Sequence, residues 1–352
     1  MRFLQTADWQ IGMVASHTGA AAERVRAARF RAGEVAAGLA VEERVDFALV
    51  AGDTFEDNAV RLADVERAAA IWDSFGCPVF VIAGNHDPET AGSVWEHGVW
   101  GRLRQVRVLR EAAPVEIPGG VLYPCPLRQR WGSEDPTAWI HCERGGEAIR
   151  IGVAHGSLAN APKASSEFGI AVDAAVRRGL DYLALGHWHS TRIYERMAYC
   201  GTHETTSFGE DDSGNVLLVT VEGRGREPVI EKRRCGTLRW FQEQVEIRAA
   251  GELTALRERV ERLGGAEVLL DLRVRGTLFD GEAEEAARLA AMGARFAYFR
   301  LDLGGLGRPL ALEELPAGVL RETAQRLQAL LPDEAAGLAL QDLLRYARGG
   351  GK

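Results

Sequence analysis

In the first half of the chain, short apolar runs alternate with stretches of helical period. Arg2 to Ala7, Phe47 to Val50, Val79 to Ile82, Ile151 to Ala154 and Tyr182 to Leu185 each read as a strand, being compact apolar runs that end in polar or glycine residues. Between the first two lies an Ala- and Arg-rich stretch, about Ala20 to Ala40, made of strong helix formers without proline. Between the second and third, Ala68, Ile71, Trp72 and Phe75 recur at i, i+3, i+4 and i+7, the period of an amphipathic helix. Strand, helix, strand, helix, strand predicts a parallel sheet with both faces covered.

From Trp95 to Ile149 the pattern weakens. Val106 to Leu109, Val115 to Ile117 and Val121 to Tyr123 suggest short strands, followed by an insertion with proline and tryptophan from Pro124 to Cys142. A helix is expected near Ile170 to Arg178, and further strand-like runs at Val216 to Val221, Val229 to Glu231 and Trp240 to Ile247. After about Glu246 the texture changes. Leu253, Leu256, Val260 and Leu263 sit at helical spacing, Val268 to Val274 and Phe296 to Leu301 look like strands, and Ala283 to Met292 looks like a helix. Two helices then close the chain, the first with Leu320, Ala324, Leu327 and Leu331 on one face and the second around Leu340 to Leu344. The expected division is a first domain over residues 1–245 and a smaller α+β domain over 246–352.

Composition narrows the class. A 46% hydrophobic and 26% charged share over 352 residues is that of an ordinary globular protein with room for two domains. The chain opens into Met1-Arg2-Phe3-Leu4 without an apolar leader, and no later run reaches bilayer length, so a cytoplasmic location is expected. Cys77, Cys125, Cys142, Cys200 and Cys235 lack C-x-x-C spacing and are expected to be reduced and structural. A net charge of -8 argues against indiscriminate nucleic-acid binding without excluding a local groove. Lysine occurs only at 163, 232 and 352, so the positive charge is nearly all arginine. That suits bidentate phosphate contacts and equally reflects a preference for arginine codons.

The candidate chemistry lies at the strand ends. Five apolar runs terminate in Asp8 with Gln10, Asp53, Asn85 with His86, His155, and His187 with His189. Beyond the carboxyl ends of parallel strands, residues distant in sequence converge on one place. A single histidine of this kind is more often structural, whereas five coincidences of strand end and ligand type are not. Oxygen and nitrogen donors without cysteine suit manganese, iron or zinc. Asp8 and Asp53 neutralise two of the four charges of a pair of divalent ions, leaving a surplus for an anionic phosphoryl group.

Asp8-x-Gln10, Gly52-Asp53, Gly84-Asn85-His86-Asp87, His155 and Gly186-His187-x-His189 resemble the ordered motifs of the calcineurin-like metallophosphoesterase superfamily. Thr6-Ala7-Asp8-Trp9, Gly52-Asp53-Thr54-Phe55, Tyr199-Cys200-Gly201-Thr202 and Phe208-Gly209-Glu210 resemble its SbcD-type DNA-repair nuclease branch. The resemblance covers about residues 1 to 221. It implies an α/β fold with a β-sandwich core flanked by helices, and a smaller C-terminal capping domain. It also implies that Asp8, Gln10, Asp53 and His189 hold one metal, that Asp53 bridges to a second held by Asn85, His155 and His187, and that His86 contacts the scissile phosphate and protonates the leaving oxygen. Asp87 either supports His86 or is an exposed turn residue.

Position 10 departs from the family, where histidine is usual. Gln10 is the weaker donor, and this variant resembles a bacterial repair-cluster subgroup of Mn-dependent single-strand DNA endonucleases. The implied partners are single-stranded DNA, an SbcC-type ATPase or a repair-cluster helicase or ligase, and a second copy of the chain. His203, where the family often has proline, is either a phosphate contact or a loop residue. For DNA, the arginine–aromatic stretches are Arg102, Arg104, Arg107 and Arg110; Arg128, Arg130 and Trp131; and Lys232, Arg233, Arg234, Arg239 and Trp240. The plainer reading of each is a solvated strand edge with tryptophan in the core. Trp9 and Trp188 either stack on a base or wall the site. The function expected first is a DNA nuclease, endonuclease or exonuclease. The rivals are a phosphatase or phosphodiesterase for a small molecule or protein, and a DNA-end-binding scaffold weakened at Gln10.

Overall fold

The structure is a computed structural model that describes every residue except 143–145, 160–166, 308–311, 332 and 348–352. Lys163, Lys352 and the Gly-rich end therefore lie outside the described residues. Two compact units divide the chain, Met1–Leu238 and Arg239–Lys352.

Two six-stranded sheets build the first unit. In one, β1 (Arg2–Thr6), β2 (Phe47–Ala51), β3 (Val79–Ile82) and β4 (Val106–Val108) run parallel, and antiparallel β11 (Asn215–Thr220) and β12 (Val229–Arg234) extend it beyond β1. In the other, β6 (Gly120–Cys125), β7 (Ile149–His155), β8 (Tyr182–Gly186) and β10 (Met197–Tyr199) run parallel, edged by antiparallel β5 (Val115–Ile117) and β9 (Arg192–Tyr194).

The central strands of both sheets are buried on both faces, which is why they read as continuous apolar runs rather than alternating ones. Phe3, Phe47, Leu49, Phe80 and Ile82 of the first sheet meet Ile149, Ile151, Val153, Tyr182 and Ala184 of the second in one core. The alternate residues Leu4, Ala48, Val50, Val79 and Val81 face α1 (Ala22–Glu42) and α2 (Leu62–Asp73), which bury Ala36, Ala40, Val65, Ile71 and Trp72 against them. Side chains of this size contribute roughly 1.5–3 kcal/mol each when fully buried. Buried Gln5 ties the sheets together, its amide donating to the carbonyls of Leu185 (3.1 Å) and Ala198 (2.9 Å). Leu183 and Leu185 face outward against Ile140, Leu158, Ile170 and Ala174.

The helix expected over Ile170 to Arg178 is shorter, α3 (Ala174–Arg177), because Gly169 and Gly179 bound the segment and Ile170 is drawn into a bridge with Leu158. The β9–β10 hairpin has no counterpart in the sequence pattern. Its three-residue strands, split by Glu195-Arg196, are too short to show a period.

The second unit is β13 (Arg239–Ile247), α4 (Glu252–Leu263), β14 (Gly265–Thr277), α5 (Ala283–Ala290) and β15 (Phe296–Gly307), followed by α6 (Val319–Ala329) and α7 (Glu334–Ala347). All three strands are parallel, with Leu253, Leu256 and Val260 packed on Val268, Leu270 and Leu272. The division expected at 245/246 falls inside β13, which pairs along its whole length with β14. The break lies instead between Leu238 and Arg239. Among the described residues no helix is long and apolar enough to cross a membrane.

Candidate metal centre

The strand ends of both sheets converge through close backbone contact. Gly52, after β2, has φ +87°, and a Cβ on it would lie 2.4 Å from Nδ1 of His155. A Cβ on Gly84, after β3, would lie 2.1 Å from Oδ1 of Asp53. Only glycine admits this approach at these two positions. Asp8, Gln10, Asp53 and His187 all adopt positive φ (53°, 41°, 48° and 105°). Such backbone costs on the order of 1–3 kcal/mol per residue and gathers where geometry serves function.

One cluster joins Asp53, Asn85, His155 and His187. Asn85 Oδ1 lies 3.0 Å from His155 Nε2 and 3.1 Å from His187 Nδ1, and Asp53 Oδ2 lies 3.2 Å from His155 Nε2. Ligand atoms of Asp53, His155 and His187 all fall within 4.8 Å of one another. His155 is fully buried and its Nδ1 donates to the Ala51 carbonyl at 2.8 Å, so Nε2 is the nitrogen aimed inward. Orientation of a metal-binding imidazole by a backbone carbonyl is usual. Burial works against a charge on His155, yet Asp53 and Asp8 raise its pKa to about 9. A proton there does what a cation in this nest of acceptors would do, and Asp53 is held ionised below the ordinary carboxylate range despite its burial. His187, by contrast, is pushed down to about 4 by burial and by His155, so it offers a neutral ring.

A second cluster joins Asp8, Gln10 and His189. Asp8 is buried and its carboxylate accepts the His187 N–H at 3.0 Å. Burial raises its pKa to about 6. Gln10 Nε2 lies 3.1 Å from His189 Nε2, placing the amide head against the ring nitrogen that faces the centre. On the other side, His189 Nδ1 donates to Glu210 Oε1 at 2.8 Å. Glu210 also accepts from Thr206 N (2.6 Å), Ser207 N (3.2 Å) and the Thr206 hydroxyl. Although burial opposes its charge, the His189 and Thr206 bonds lower its pKa. Glu210 is a candidate positioning residue to which the sequence reading gave no part in the site. A carboxylate, a histidine and an inward ring nitrogen in line make a metal site's supporting arrangement.

His86 stands at the edge of the centre, its side chain 27% exposed. Its backbone N–H donates to Asp53 Oδ1 at 2.8 Å, and its Nδ1 donates to the Glu56 carbonyl at 3.0 Å, which leaves Nε2 without a hydrogen-bond partner among the described residues. Asp87 is neither its support nor an exposed turn residue. Fully buried, it accepts Phe55 N (2.9 Å) and Gly84 N (2.7 Å) and so pins the two ligand-bearing loops together.

His203 does not reach the centre. It is buried, stacked on Trp9 at 4.3 Å, and donates from Nε2 to the Arg29 carbonyl. Trp9 is likewise core, bonded to Thr6 and packed on Trp72, while Trp188 is half-buried against the second sheet's outer cluster. Trp9, fully buried, therefore offers no stacking face. The five cysteines are free thiols, four of them buried.

The donor set fits divalent ions. Among the described residues Asp53, His155 and His187 place ligand atoms within 4.8 Å of one another and Asn85 Oδ1 lies against both histidines, an oxygen and nitrogen set that suits a divalent ion, while Gln10 and His189 meet beside Asp8.

Comparison with known proteins agrees with this chemistry. The family model for calcineurin-like phosphoesterases matches residues 1–191. An uncharacterised metallophosphoesterase, YhaO of Bacillus subtilis, is 27% identical over 260 residues, 68% of this chain and 62% of that protein. The DNA double-strand break repair protein Mre11 of Aeropyrum pernix is 26% identical over 249 residues, 64% of this chain and 59% of that protein. The matches thus span about three fifths of these relatives' own length. A crystal structure from Thermus thermophilus superposes with a TM-score of 0.44 at 11% identity, covering 66% of this chain and 98% of that one. Carrying the family's signature over more than half its length, the chain belongs to the calcineurin-like phosphoesterases, hydrolases that cleave phosphate esters with divalent metal ions, typically two.

Proposed function

We propose that the protein is a metal-dependent DNA nuclease of the SbcD-type branch, acting in DNA repair as an endonuclease on single-stranded DNA, with manganese as its metal. The observation that carries the reading is His86. Its ring is fixed by the Glu56 carbonyl, its backbone is bound to Asp53, and its Nε2 has no hydrogen-bond partner among the described residues on a side chain that is 27% exposed. There an imidazole can hold a non-bridging phosphate oxygen and pass a proton to the departing one near neutral pH. Asp8, Gln10, Asp53 and His189 would hold one ion, and Asp53, Asn85, His155 and His187 the other. Bound there, the ions would activate water and neutralise charge on the phosphoryl group.

The likeness to Mre11 supports DNA as the substrate, and Gln10 beside His189 supports a softer demand on the first metal than histidine would make. Implied partners are an SbcC-type ATPase, a repair-cluster helicase or ligase, or a second copy of the chain. A phosphoesterase for a small molecule or protein is the second reading, favoured by the net charge of -8 and by YhaO. A scaffold role is disfavoured, since binding alone has no use for such costly polar convergence.

The test is incubation with circular single-stranded DNA, linear duplex, a generic phosphodiester and a phosphomonoester, each with Mn, Mg or Zn. Asn85→Ala and His86→Ala are run beside the parent. The reading expects Mn-dependent linearisation of the circle, lost in both variants. Turnover of the monoester alone would remove the nuclease, and DNA binding without any turnover would favour the scaffold.

A further inference from the structure

The three arginine–aromatic stretches are not equivalent in the fold. In the first, Arg102 faces Glu66 (3.9 Å), Arg110 pairs with Glu89 (3.4 Å), and the nearby Trp95 and Trp100 are buried in the core. In the third, Lys232 is held by Asp212 and Arg233 by Glu43 and Glu231, while Arg234 donates to the Ser213 and Leu238 carbonyls. The middle stretch differs. Trp131 is 66% exposed, alone among the eight tryptophans, and the Arg130 guanidinium lies 5.8 Å over one face of its ring. Arg130 has no carboxylate partner among the described residues, whereas its neighbour Arg128 is bound to Glu111.

This pair is tied to the metal centre at both ends. On one side Leu127 N donates to the Ala83 carbonyl (3.1 Å), and Glu89 N donates to the Leu127 carbonyl (2.8 Å), so the segment starts alongside the loop of Asn85 and His86. On the other, Phe168 N donates to the Gly132 carbonyl (2.8 Å), and Phe168 lies so close to Gly156 that a Cβ there would sit 2.3 Å from its carbonyl. Gly156 follows His155. Residues 128–131 therefore join a point beside the His86 loop to a point beside the His155 loop. Consecutive Cα atoms are 3.8 Å apart, so Trp131 stands within about 15 Å of Leu127 along the chain.

We infer that Trp131, backed by Arg130, is a stacking platform for one unpaired nucleobase flanking the phosphate at the centre, with Arg130 also facing the backbone phosphate. The inference rests on the nuclease reading for its substrate class and deepens it. One face of the indole carries the cation and two thirds of the residue is exposed, an arrangement suited to holding single strands without reading sequence. A duplex offers no such face, so the platform selects unpaired strands.

Binding is measured in EDTA, where no turnover occurs, with a fluorescein-labelled oligo(dT) 12-mer and an abasic 12-mer of the same phosphate count. Cleavage of the oligo(dT) with Mn is followed separately. Trp131→Ala should weaken oligo(dT) binding roughly 5- to 150-fold and leave abasic binding within about twofold, and Trp131→Phe should restore most of the loss. Arg130→Ala should weaken both strands and lower the salt slope by about 0.7. Equal loss on both strands, no loss on either, or no binding of oligo(dT) by the parent protein overturns the platform. A platform intact without Mn-dependent cleavage removes the nuclease reading alone, and cleavage indifferent to Trp131 removes the platform alone.

Discussion

Replacing Glu210 by glutamine isolates the support of His189. Glu210 lies outside the seven candidate ligands, and the substitution keeps shape while removing charge. In the parent its two oxygens accept four bonds, from His189 Nδ1, Thr206 N, Thr206 Oγ1 and Ser207 N. A glutamine has one acceptor oxygen, so it can keep either the His189 bond or the backbone pair, and its NH2 opposes an N–H on the side it loses. Either way the carboxylate charge behind the ring is gone and the inward nitrogen loses basicity, and where the His189 bond is the one lost the ring is also freed to rotate. Partners of this kind are typically worth 10–100-fold in metal affinity, about 1.4–2.7 kcal/mol. Mn titration calorimetry on parent, Glu210→Gln and Asn85→Ala should therefore show a weakened first site with the second unchanged in Glu210→Gln, and the converse in Asn85→Ala. Parent-like affinity at both sites in Glu210→Gln would refute the argument that the carboxylate sets His189 for a metal.

Gly84→Ala should cut phosphodiester turnover by about 100-fold with the circular dichroism spectrum unchanged, because the new Cβ meets Asp53 Oδ1 at 2.1 Å and must displace it by an ångström or more. Wild-type turnover would contradict the crowding argument. Gln10→His should tighten Mn binding about tenfold, ~1.4 kcal/mol, and shift preference toward zinc, and unchanged or weaker affinity in calorimetry would count against the account of that position. In the second unit, buried Asp271 is bonded to Arg300 and to Gln242 at 2.8 Å, and the Arg300 bond depresses its pKa. The stability it contributes is present above the unfolded carboxylate value and is lost as pH falls through the depressed one. Asp271→Asn should lower thermal stability at pH 7 by about 1.5–3 kcal/mol, nearer the low end because Arg300 is half-exposed, and the difference should vanish below the depressed value. A difference that persists in acid would sink this reading.

The candidate ligand positions stood out because strands buried on both faces produce unbroken apolar runs, and a polar residue at the end of such a run is conspicuous. Asp8, Asp53, Asn85, His155 and His187 stand out for that reason. What could not be read depends on contacts made across the chain. Glu210 lies 21 residues beyond His189 in an irregular loop, where nothing separates a carboxylate bound to imidazole from one in water, although Phe208-Gly209-Glu210 stands out as a motif. Asp87 reads from sequence as either support for His86 or an exposed turn, because its two backbone donors come from Phe55 and Gly84 on different strand ends. The parallel order of β13, β14 and β15 was hidden for another reason. The alternation of strand and helix was present, but a division at 245/246 assigned the β13 run to the first domain and broke the series.

The account's central claim is a pair of divalent ions sharing Asp53, and anomalous diffraction from Mn-soaked crystals tests it most directly. The claim predicts two peaks, one on each side of the Asp53 carboxylate, the first against Asp8, Gln10 and His189 and the second against Asn85, His155 and His187. A single peak, or two peaks that Asp53 does not separate, would contradict it.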